Sequence, residues 1–92
     1  MDKKIINKLS EEVRPFGFSL SAYSLTSGGA IFRDNGGLTL EIWVDKNKNI
    51  ATLSFMEGLF FVEARNFAWP HPKFEKLFLN KARELKKKIK RT

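Results

Sequence analysis

The stretch "IATLSFMEGLFFVEA", residues 50–64, decides how this chain folds, because two apolar-rich runs meet there across a Glu-Gly pair. A tight hairpin loop at Glu57 and Gly58 sets Phe55 opposite Phe60, Leu53 opposite Val62 and Ala51 opposite Ala64, and every one of those pairs is apolar. Upstream lies "LTLEIWVDKNKN", residues 38–49. If Asp45 to Lys48 form its loop, Leu38, Leu40 and Ile42 come opposite Phe55, Leu53 and Ala51. The predicted core face is therefore Leu38, Leu40, Ile42, Ala51, Leu53, Phe55, Phe60, Val62 and Ala64. A slip of one residue in either turn would spoil it, since side chains alternate between faces.

The same register predicts a second face with three rows: Trp43, Ile50 and Arg65; Glu41, Thr52 and Glu63; Thr39, Ser54 and Phe61. It is too apolar to be purely solvating and too polar for a second core. Trp43, Phe61 and Arg65 are its candidate interface residues, aromatic and Arg side chains being enriched where proteins dock.

Outward from this hairpin, turn signals at "TSGG" (26–29), "DNGG" (34–37), "DKNK" (45–48) and "EG" (57–58) divide residues 17–69 into five extended pieces, the second short. "FSLSAYSL" (18–25) alternates, with Phe18, Leu20 and Ala22 on one face and Ser19, Ser21 and Tyr23 on the other. "WPHP" (69–72) stops the last strand, and Pro72 suits the first turn of a closing helix. At the N-terminus Ile5, Ile6, Leu9 and Val13 recur at helical spacing, Asp2 can cap, and Pro15 disfavours continuation, so residues 2–14 read as a helix. These elements predict an α+β fold over residues 1–92, a single small domain. It consists of an N-terminal helix, an antiparallel meander of four or five strands and a C-terminal basic amphipathic helix.

Charge is distributed unevenly. Residues 1–70 hold eight Lys or Arg against eight Asp or Glu, whereas residues 71–92 hold nine against two, so the whole net charge of +7 falls in the last quarter. On a wheel of about 100° per residue, Phe74, Leu77, Phe78, Ala82, Leu85 and Ile89 share one arc of the closing helix. Lys76, Arg83, Lys87, Lys90 and Arg91 occupy the opposite arc, while Lys81 and Lys88 edge the apolar side and have to snorkel. A basic stripe of this kind either solvates a helix and complements its dipole or neutralises phosphates.

Catalytic chemistry finds little support. The chain has no Cys, and His71 is its sole histidine, which removes Cys- or His-ligated metal sites and Cys-based nucleophiles. Between two prolines, His71 reads as a cap or surface residue. "SGGAIFRDNGG" (27–37) lacks the spacing of a phosphate cradle, and its glycines are expected to make hairpins. Glu41 and Glu63 could be imagined as a carboxylate pair about 9.6 Å apart on the open face, but an unwalled sheet cannot desolvate either one.

The expectation is a non-enzymatic cytoplasmic module without cofactor, metal or membrane association. It would contact nucleic acid or a nucleoprotein complex through Lys76, Arg83, Lys87, Lys90 and Arg91, without reading bases. The alternative is a small interaction or inhibitor protein of phage or mobile-element type, docking Trp43 and Phe61 on a host protein. A homodimer through the open sheet face is compatible with either.

Overall fold

The computed structural model describes residues 3–58, 60–71 and 73–89, with the backbone alone described at 60–62, 85, 86, 88 and 89. Helix α1 spans Lys3–Val13 and buries Ile6, Leu9 and Val13. Pro15 then diverts the chain into a 3-10 turn, Arg14–Phe16, which Gly17 closes at φ 87° by donating its N–H to the Arg14 carbonyl at 2.9 Å. Five strands follow: β1 Ser19–Ser24, β2 Gly29–Arg33, β3 Leu38–Asp45, β4 Ile50–Glu57 and β5 Phe60–Ala68. They pair antiparallel in the order β1-β2-β3-β4-β5, the expected meander, and α2 (Phe74–Ile89) closes the chain. The fold is α+β.

Turn chemistry places the hairpins. In "DNGG" the Asp34 carboxylate accepts N–H bonds from Gly36 and Leu38 at 2.9 and 2.8 Å. In "DKNK" the Asp45 carboxylate accepts from Asn47 and Lys48 at 3.0 and 3.2 Å. These are Asx turns, which substitute a side-chain acceptor for a backbone one. Asp45 remains within β3, paired with Ile50, so the loop is Lys46 to Asn49, with Asn49 at φ 53°. Register between β3 and β4 thus differs from the expected one by two residues: Leu40 faces Phe55, Ile42 faces Leu53 and Val44 faces Ala51. An even shift preserves the faces, so the apolar set stays together.

The β4–β5 hairpin departs further. Glu57 pairs with Phe60, so Gly58, at φ 61°, is the first loop residue rather than the second. Beyond the loop the register jumps between the Met56–Phe61 and Phe55–Glu63 pairs, leaving Val62 as the extra residue of a bulge. The loop moves register by an even number and the bulge by one, so β5 is turned over. Phe55 faces Glu63, Leu53 faces Arg65 and Ala51 faces Phe67, while Ala64, expected in the core, faces Ser54 and is exposed. The side chains of Phe60 and Val62 lie outside the described residues. A second bulge at Ser21 turns over the end of β1: Leu20 stays opposite Phe32, but Ala22 moves opposite Ile31, onto the face away from the core.

The core is one apolar cluster on one side of the sheet. Ile6, Leu9 and Val13 of α1 and Phe74, Phe78 and Ala82 of α2 pack on Phe18, Phe32, Leu40, Ile42, Leu53 and Phe55, all at most 4% exposed. Phe78 meets Phe32 edge-on, with ring centroids 5.5 Å apart. Lys8 bonds Glu75 at 2.7 Å, and the Arg83 guanidinium lies 5.5 Å from the Phe16 ring centroid, so the two helices run side by side in the same direction. Both cover the same face. Among the described residues, no helix lies on the other. Among the described residues no helix is long and apolar enough to cross a membrane.

Candidate binding surfaces

The two faces of this two-layer structure carry different chemistry. On the helix side, Phe74, Phe78 and Ala82 point α2 into the core, which leaves Lys76, Arg83 and Lys87 exposed on its far side, as the wheel requires. Lys90 and Arg91 lie outside the described residues. Arg83 is held over the Phe16 ring, a contact that orients the guanidinium while its edge stays in water. Lys3 and Lys4 of α1 and Arg14 of the following turn are exposed as well. The linear charge count overlooked them, because the first 70 residues balance to zero. Of the acids that offset them in sequence, Glu41 and Asp45 lie on the sheet, whereas Glu11 and Glu12 stay on α1 itself.

Not every cation of α2 belongs to the stripe. Lys81 is 8% exposed, and its ammonium lies 2.7 Å from the Glu63 carboxylate and 3.6 Å from that of Glu84, with the Phe55 ring centroid at 5.8 Å. It snorkels along the apolar surface as expected, but to a carboxylate rather than to open water. Lys8 is drawn to Glu75, and the hydrogen bond, then the charge of Glu75, raises its pKa above the ordinary 10.5.

On the sheet side, the observed rows replace the expected ones. Gly29, Trp43, Thr52 and Asn66 form one row, with Ser24 at its edge; Ile31, Glu41, Ser54 and Ala64 form the next, with Ala22. Arg33, Thr39 and Met56 follow, aligned with the backbone of Phe61, whose side chain lies outside the described residues. Of the three expected interface residues, Trp43 is on this face and 39% exposed. Arg65 is not: its pairing with Leu53 puts it on the helix side, exposed near the β5 edge. Glu63 moves with it. Since Glu41 stays on the open face, the two carboxylates lie on opposite sides of the sheet and cannot flank a common substrate.

Trp43 is pinned in a particular way. A β-carbon added to Gly29 would come within 2.2 Å of Cε3 and Cζ3 of the indole, so the ring lies flat on the backbone of β2, in space a side chain would fill. Its Nε1 donates to the Glu41 carboxylate at 3.0 Å. Gly29 therefore serves this contact, not a hairpin, and no local signal in "SGGAIF" reveals it. Trp43 lines two depressions. One, of about 490 Å³, runs toward Ile50 and the two turns of that end; the other, of about 130 Å³, toward Tyr23 and Ile31. Tyr23, Leu25, Trp43 and Ile50 are the exposed large apolar residues of the described chain; Trp43 and Ile50 lie at this end of the open face, whereas Tyr23, opposite Ala30, is turned to the helix side.

His71 accepts the Lys73 N–H on Nδ1 at 3.0 Å and meets Phe67 edge-on, which makes it a turn cap ahead of α2. Among the described residues no cluster of His, Asp and Glu could hold a metal ion. No family model, characterised protein or solved structure matches this chain.

Proposed function

We propose that the chain is a non-enzymatic binding module whose helix side contacts the phosphates of a nucleic acid or nucleoprotein complex without reading bases. The observation that carries this reading is the exposure of Lys76, Arg83 and Lys87 on the side of α2 opposite its buried Phe74, Phe78 and Ala82. A Lys-rich surface neutralises backbone charge and releases counterions, whereas base readout needs side chains fixed in a groove. Five contacts, from Lys76, Arg83, Lys87, Lys90 and Arg91, imply a log-log salt slope of about −3.5 to −4.5. Titration of labelled DNA and RNA at several salt concentrations tests it. Lys76→Glu with Lys87→Glu should flatten the slope by about two contacts' worth without unfolding the helix. Equal slopes for wild type and the double variant would remove the reading.

A second reading is favoured by the open sheet face. The exposed set around Trp43 has the composition of a docking surface, and a small interaction or inhibitor protein of phage or mobile-element type would use it against a host protein. Trp43→Ala would then weaken that complex by about 2 kcal/mol or more.

A further inference from the structure

We propose that the open face of the sheet is a homodimer interface, in which two copies pack the open faces of all five strands against each other around Trp43 and Ile31. Three observations point to a second copy rather than an acidic or basic partner.

The first is charge. The helix side carries the basic stripe of α2, whereas the open face carries Ala22, Ile31, Trp43, Ile50, Met56 and a set of hydroxyl and amide groups, with Arg33, Glu41, Asp45 and, at its end, Lys46 as charged groups of balanced sign. Glu41 is bonded to the Trp43 indole, and Asp45 to the turn N–H groups of Asn47 and Lys48. A face so nearly neutral meets its own copy without repulsion, and offers an oppositely charged partner little to hold.

The second is where the net charge of +7 would go. Sheets packed face to face sit about 10 Å apart, and a helix layer stands roughly another 10 Å behind each, so the two basic layers end about 30 Å apart. That exceeds the Debye length of about 8 Å at physiological salt several-fold. Packing through the helix layers would instead bring the like charges together.

The third is area. Strands of six, five, eight, eight and nine residues, about 4.8 Å apart and rising about 3.3 Å per residue, cover about 570 Å² per copy in projection. Both copies together reach about 1,140 Å², just under the roughly 1,200 Å² of stable interfaces and above the roughly 1,000 Å² that a biological one should clear. Trp43, lying flat on Gly29, keeps the face level enough for such contact.

The dimer has a consequence that rests on the phosphate-binding reading above. Its two basic stripes face outward on opposite sides, so one dimer would hold two nucleic-acid segments together.

Sedimentation equilibrium of the full chain without nucleic acid, over roughly 1 to 500 µM, should show a monomer–dimer equilibrium with a dissociation constant of about 1 to 100 µM. Raising salt should leave it unchanged or tighten it, the reverse of phosphate binding. Ile31→Lys sets a charge in the middle of each face and should weaken the dimer by at least about tenfold. Ala22→Lys and Ala64→Lys, at exposed positions of the same row, should do the same with circular dichroism unchanged. Lys76→Glu with Lys87→Glu should leave the dimer intact. A protein that stays monomeric throughout the range, or a dimer indifferent to all three lysine substitutions, overturns the proposal. In a two-duplex energy-transfer assay, Ile31→Lys should keep nucleic-acid binding and lose bridging. Failure of the phosphate reading instead abolishes binding in both proteins while the sedimentation result stands.

Discussion

The two sides of the central sheet are made from the same strands and are opposite in use. On the covered side, Leu40, Ile42, Leu53 and Phe55 are at most 1% exposed under the helices. On the open side, one residue along each strand, Thr39, Glu41, Trp43, Thr52, Ser54 and Met56 stay half-buried or exposed. Helix packing alone accounts for the first set. The second is too polar to demand cover and too apolar to need none, which is the composition of surfaces that bind reversibly.

The largest expected contrast between the two sides is in stability. Leu53→Ala should cost about 2 to 5 kcal/mol, since Leu53 is 1% exposed and the cavity it leaves is walled by Ile42 across the strand pair and by the helix layer above. Chemical denaturation measures it, and a wild-type midpoint would mean the two faces are exchanged.

A smaller effect sharpens the boundary of the covered side. Glu63→Gln leaves Glu84, at 3.6 Å, as the remaining carboxylate of the buried Lys81 ion pairs and should cost about 1 to 3 kcal/mol as a poorly compensated charge. Lys81→Met removes the charge itself and should cost less, because an apolar chain fits beside Phe55. If both substitutions cost the same in denaturant melts, the pair is merely solvated.

The open side should respond more weakly. Trp43→Ala should cost about 1 kcal/mol, for the loss of ring contact with the β2 backbone. Gly29→Ala should shift the Trp43 emission spectrum with a loss of about 1 kcal/mol, because the ring must leave its preferred rotamer to admit the new methyl group. Measuring it in a Trp69→Phe background isolates the signal. An unchanged spectrum would mean that the indole does not rest on Gly29.

Smallest is the ion pair joining the helices. Lys8 is solvent-exposed, so its bridge to Glu75 is screened. Its pKa is raised on folding, so its contribution is complete below 10.5 and fades as pH rises through the higher folded value. Lys8→Met should therefore flatten a shallow alkaline decline in thermal midpoint and alter nothing near neutrality. A large loss at pH 7 would assign Lys8 a packing role.

Much of this was legible in the chain before folding. Period-two alternation placed Leu40 with Ile42 and Leu53 with Phe55. Asx and glycine turns set off five strands, and a wheel separated Phe74, Phe78 and Ala82 from Lys76, Arg83 and Lys87. Each of these signals is local: a strand's alternation or a helix's period lies in neighbouring residues and survives a register shift by an even number. What only the tertiary structure decided was parity on β5 and at the end of β1. From Phe60 to Ala68, β5 carries apolar residues at both odd and even positions, so alternation selects neither face. The bulge at Val62 settles the matter, and with it Glu63 comes to face the Lys81 ammonium, 18 positions along the chain. One extra residue thereby moved Glu63 and Arg65 to the helix side. Trp43 on Gly29, Lys8 against Glu75 and Arg83 over Phe16 likewise depend on which element lies next to which. No window of sequence contains that information, because it is set by non-local pairing and by the packing of two distant helices.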